Sequence, residues 1–226
     1  MRKATYLWRA LVLAAVIVLA AATVAQATVP APDWRGQEGS TYQKWTFDTN
    51  ANPALPEVDS NPYGDPIALI TLGDLADGWQ LGPGGLGTQT GYWDLGIEGA
   101  ISIDVPNRPF DGGIKELWIS VIYFEDEGFM AAPVVDVVSG GHVVTFLGEE
   151  TFLVEEDPIS GQWNAHLTKW LIVPNPDSEQ GIIISRLSSS VIDQIEIDTI
   201  CVPEPAICAA LLIGGPFLLL LRRRKA

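Results

Sequence analysis

Lys115-Glu116-Leu117-Trp118-Ile119-Ser120-Val121-Ile122-Tyr123-Phe124-Glu125, KELWISVIYFE, is the strongest strand signal in the chain. It is dominated by β-branched and aromatic residues and carries no turn former. Leu117, Ile119, Val121 and Tyr123 fall on one face of a period-2 strand, and Trp118, Ser120, Ile122 and Phe124 on the other. Both faces are mostly apolar, which is the pattern of a central strand covered on both sides. Trp118 and Ile119 are therefore expected in the middle of a sheet.

The flanks follow the same period. Upstream, Ser40 to Asp48 alternates with Gln43, Trp45 and Phe47 inward. Ile67–Leu72, short pieces around Trp79 and Tyr92-Trp93, and Ala100–Val105 are further strands, separated by a Pro-rich loop over 50–66 and by nine glycines between Gly73 and Gly99. Downstream, strands are expected at Val134–Val138, His142–Leu147, Thr151–Val154, Trp163–Val173, Ile182–Leu187 and Ile192–Ile200. In the first long one of these, Ala165, Leu167, Leu171 and Val173 share a side. In the last, Ile195, Ile197 and Thr199 face in. No window between the two ends of the chain has helical periodicity. Many short strands with Gly and Pro turns predict an all-β domain, a β-sandwich or jelly-roll-like fold.

The charge is segregated. The chain has 13 basic and 28 acidic residues; seven of the basic ones lie in Met1–Arg9 and Arg222–Lys225, and every acid lies between Asp33 and Glu204. So acidic a domain repels nucleic acid and anionic lipid and tolerates cations. Its clusters Glu125-Asp126-Glu127, Glu149-Glu150 and Glu155-Glu156-Asp157 are expected at strand ends. Calcium takes six to eight hard oxygens, so Glu125, Asp126 and Glu127 form a candidate calcium site, against the plainer reading of solvated edge charge. His142 and His166 have no partner at metal-ligand or triad spacing, and no catalytic residue is assigned. Trp79, Trp93 and Trp163 lie in or beside Gly-rich loops and are candidates for stacking on a sugar, against core packing. Trp45, Trp118 and Trp170 read as core.

The ends carry targeting chemistry. Arg2, Lys3 and Arg9 precede an apolar run from Ala10 to Val24 and a small-x-small site at Ala25-Gln26-Ala27. Residues 1–27 thus read as a secretory signal peptide, a signal helix cut by signal peptidase after Ala27. The exported domain spans 28–201. Cys201 and Cys208 could pair only across the membrane boundary, so no disulfide is expected within the domain. Residues 202–226 hold Pro203-Glu204-Pro205, an uncharged run over 206–221, and Arg222, Arg223, Arg224 and Lys225. The run is short for a transmembrane helix, about 24 Å long at ~1.5 Å per residue, against a bilayer core of roughly 30 Å. Snorkelling arginines make up the difference and place that end in the cytoplasm.

Proline, glutamate, proline, an apolar span and an arginine cluster, in that order, resemble the PEP-CTERM sorting signal of Gram-negative bacteria. The resemblance covers the tail alone. It implies a membrane-embedded exosortase that recognises Pro203, Glu204 and Pro205 with the basic tail, cuts near them and releases the protein to the cell surface or extracellular matrix. Trp34-Arg35-Gly36, then Tyr42, Trp45 and Phe47, then Asn61-Pro62-Tyr63-Gly64, resemble the start of a group of secreted proteins with the same tail. No activity follows from that second likeness. Two functions of different class remain: a non-enzymatic structural or glycan-binding module, with exopolysaccharide as partner, and a secreted carbohydrate-active hydrolase on a β-sandwich scaffold.

Overall fold

The computed structural model describes residues 29–81, 91–108, 112–126, 128–157 and 161–202. Twelve strands follow in order: β1 Ser40–Trp45, β2 Val58–Asp59, β3 Ile67–Thr71, β4 Gly78–Leu81, β5 Gly91–Asp94, β6 Ala100–Pro106, β7 Ile114–Glu125, β8 Val134–Val138, β9 Val143–Asp157, β10 Gly161–Val173, β11 Ser178–Ile184 and β12 Val191–Val202. They form two antiparallel sheets around a shared core, the arrangement of a β-sandwich. The large sheet runs β2-β1-β12-β7-β10-β9, with β5 also on β12 and β4 on β5. The small sheet runs β3-β6-β11-β8.

KELWISVIYFE is the expected centre. β7 pairs with β12 on one side and β10 on the other. Leu117, Ile119, Val121 and Tyr123 pack inward with Ile195 and Ile197 of β12 and Trp170 and Ile172 of β10. Ile101, Ile103 and Val105 of β6, Ile183 of β11, and Val135 and Val137 of β8 meet them from the small sheet. Gly181 on β11 allows that approach, since a Cβ there would lie 3.1 Å from Ile119 Cδ1.

Four expectations are corrected. Trp118 is half-buried on the outer face of the large sheet rather than in the main core. On β10 the core face is Asn164, His166, Thr168, Trp170 and Ile172; Ala165, Leu167 and Leu171 lie on the outer face. That face is apolar because Ile122, Trp163, Ala165 and Val191 form a second cluster there, capped by Val29, Tyr92, Phe124, Met130 and Phe152. The two short strands expected at 142–147 and 151–154 are one, β9, with register shifts against β10 at Trp163/Asn164 and Lys169/Trp170. Glu149 and Glu150 therefore lie within a strand, not at its end. Finally, β11 begins at Ser178, ahead of the expected Ile182, because buried Glu179 breaks its apolar alternation.

Candidate functional site

Two polar assemblies lie on this scaffold. The first covers the outer face around Trp118, opposite Asp198 of β12 and Lys169 of β10. Lys169 Nζ sits 4.4 Å above the Trp118 ring and 2.6 Å from Glu150 Oε1. Trp34 meets Trp118 edge-on at 6.1 Å. Trp118 Nε1 donates to Glu116 Oε1 at 2.8 Å. Arg35 donates from Nε and Nη2 to the two oxygens of Asp198, both at 2.6 Å, and its guanidinium lies 4.0 Å from the centre of the Tyr42 ring. This fork geometry suits arginine and not lysine. Burial pushes the Asp198 carboxyl up, with Arg35 pulling the other way. Burial and the nearby Glu196 push the Tyr42 phenol up. Trp34 and Arg35 thus fasten the N-terminal arm onto the sheet.

The second assembly is inside, at the end of the sandwich where β12 leaves. Lys115 and Glu179 have fully buried side chains, with Nζ 2.9 Å from Oε1. Asn107, just past β6, is 4% exposed and donates from Nδ2 to Glu179 Oε2 and, at 3.1 Å, to Pro176 O. Asn107 Oδ1 is buried with no hydrogen-bond partner. Cys201 faces Lys115 across the β12–β7 ladder, and its thiol donates to Asn175 Oδ1 at 3.0 Å. Burial pushes that thiol up. Sequence reasoning passed over this cluster, although Lys115 shares the inward face of Leu117, Ile119 and Val121.

The residues singled out from sequence are dispersed. Trp93 is 5% exposed in the main core and Trp163 is 6% exposed in the second cluster, against Tyr92 and Phe124. Trp79 packs on the core and donates from Nε1 to Phe47 O at 2.9 Å. Trp93 and Trp163 are thus packed inside, and Trp79 is partly buried against the core, because β5 pairs with β12 and β4 with β5. Glu125 Oε2 accepts from Asn164 Nδ2 at 2.7 Å. Asp126 Oδ1 accepts the backbone N–H groups of Gly128, Phe129 and Met130, which hold its carboxyl below the usual range. Glu127 lies outside the described residues. Among the described residues no three His, Cys, Asp or Glu side chains are grouped to hold a metal. His142 Nδ1 is 3.3 Å from Ser139 Oγ and His166 Nε2 is 3.0 Å from Glu149 Oε2.

No family model, curated protein or solved structure matches the chain. Ala25, Ala27, Pro203, Glu204, Pro205, Arg222, Arg223 and Arg224 all lie outside the described residues, as does the apolar run over 206–221.

Proposed function

We propose that this chain is an exported, non-enzymatic module carried to the cell surface or extracellular matrix by its C-terminal tail. There it serves as a structural element or a holder of exopolysaccharide. Signal peptidase removes the N-terminal signal helix, the helix over 206–221 anchors the precursor, and an exosortase cuts near Pro203-Glu204-Pro205. The sequence of the two ends supports the sorting. The non-enzymatic reading rests on one observation: the polar side chains that could have made a site hold the fold instead. Glu125, Asp126, Glu150 and Asp198 each have a hydrogen-bonded or ion-paired partner within the domain.

The test is mass spectrometry of the surface-associated form, with a glycan array and hydrolase panel on the same material. The expected mature chain starts at Thr28 and lacks residues 206–226. A peptide containing Arg222 in that material overturns the sorting, and turnover of any glycan overturns the non-enzymatic reading.

A further inference from the structure

The exported domain has few cations, and one of them, Lys115, is wholly buried. It is not merely paired. The two oxygens of Glu179 hold two different nitrogen groups, the Lys115 amine on Oε1 and the Asn107 carboxamide on Oε2. Asn107 is fixed from two further directions, its backbone N–H on Asp177 O at 2.9 Å and its Nδ2 on Pro176 O. An amine and an amide are thus held together, away from water, by a group able to carry protons between them.

We propose that Lys115 and Asn107 join through an intramolecular amide bond, formed in the folded protein with Glu179 relaying protons and ammonia leaving. The chemistry balances without an oxidant or co-reactant. The Lys115 ammonium first passes a proton to Glu179, which leaves a neutral amine and a neutral acid. Burial favours that exchange, since it pushes the Glu179 carboxyl up. The freed Nζ lone pair attacks Asn107 Cγ and the Nζ–Cγ bond forms. Glu179 protonates Nδ2, the Cγ–Nδ2 bond breaks, and ammonia departs. The attacking nitrogen returns one proton to Glu179, which ends as the neutral acid. Amine plus carboxamide has become a secondary amide plus ammonia. A desolvated lysine is a competent nucleophile, and fixed proximity supplies what an amide otherwise lacks in reactivity. Asn107 Oδ1, without a partner in the starting arrangement, is free to take hydrogen bonds as charge builds on it.

The bond would tie β7 of the large sheet to the end of β6 in the small one, beside Cys201 and the last residues of β12. It also resolves an energetic problem. A buried lysine–glutamate pair carries a large desolvation cost, and the reaction turns both groups neutral.

The experiment is intact mass spectrometry of the purified full chain, followed by trypsin digestion. The expected mass is below that of the processed sequence by one ammonia. The digest should hold a single peptide that contains both Asn107 and Lys115, closed into a loop and lighter by one ammonia, with no cleavage after Lys115, since the Arg108-Pro109 bond resists trypsin. Glu179→Gln should restore the full mass, and Lys115→Arg should do so independently if Glu179→Gln folds poorly. Full mass in the folded wild-type protein, with ordinary cleavage after Lys115, reduces the cluster to an ion pair and overturns the proposal. Loss of water instead, with Lys115 joined to Glu179, overturns the assignment of Asn107 as the acceptor. Neither result bears on sorting, which is read at the chain ends.

Discussion

Lys115 fills a position that its neighbours on the strand give to Leu117 and Ile119, so its partner matters more than its charge. Glu179→Ala would leave a buried amine without a counter-charge. The expected loss is about 3–5 kcal/mol, measured by urea unfolding, and Lys115→Met combined with Glu179→Leu should recover much of it. Half of this cluster was legible: period-2 reading of KELWISVIYFE puts Lys115 inward. The other half was not, because Glu179 and Asn107 become its neighbours only through the pairing of β6 with β11. Asp126 was legible as an acid but not as a turn-maker. Its carboxyl is held below its unfolded value by three backbone donors. That contribution is present above the unfolded value and is lost as pH falls through the folded one. Asp126→Asn should therefore lower the melting temperature at neutral pH and flatten its decline on acidification. A parallel pair of thermal curves from neutral pH to about pH 2 checks this.

The elements were easier to find than to orient. β10 presents Ala165, Leu167 and Leu171 as plausibly as it presents Trp170 and Ile172, because both faces are covered. Alternation cannot choose between two apolar faces. Ile119→Ala, in the main core, should cost about 2–5 kcal/mol. Trp118→Ala should act differently, by releasing the arm that Trp34 and Arg35 fasten. The measurement is limited proteolysis, with faster cleavage ahead of Ser40 in Trp118→Ala than in Ile119→Ala at matched stability. β9 is a different case. Among the described residues it pairs only with β10 and leaves a long edge bearing exposed Val143, Phe146, Leu147 and Leu153. Its register shifts and the acids Glu149, Glu150, Glu155 and Glu156 discourage another strand from adding there. Replacing those four acids with threonine should produce self-association, read by sedimentation velocity.

At the scale of the molecule, the chain changes sheet repeatedly. β3, β6, β8 and β11 build the small sheet, and the segments between them build the large one. The number of strands and their turns could be read from hydrophobic period, Gly and Pro. Their sheet membership could not, since it depends on partners far apart in the sequence. The net charge of −15 over the chain understates the acidity of the domain, whose cations are few and partly buried. Self-repulsion should weaken the compact state at low salt. The melting temperature should rise with sodium chloride as the charges are screened. Calcium compared with sodium at equal ionic strength separates screening from binding, and an excess effect of calcium would point to the loop of Glu125, Asp126 and Glu127.

β12 lies between β1 and β7, and also pairs with β5. Among the described strands it is also the last in chain order. Among the described residues, until Val191–Val202 is available β1 has only the two residues of β2 beside it, and one side of β7 is unpaired. The domain is therefore built on a delay. A chain made up to Ser190 should be collapsed but not folded, and the final segment should close the large sheet in a single late step. Completion of folding in this way reports that the chain has been made as far as the residue before Pro203.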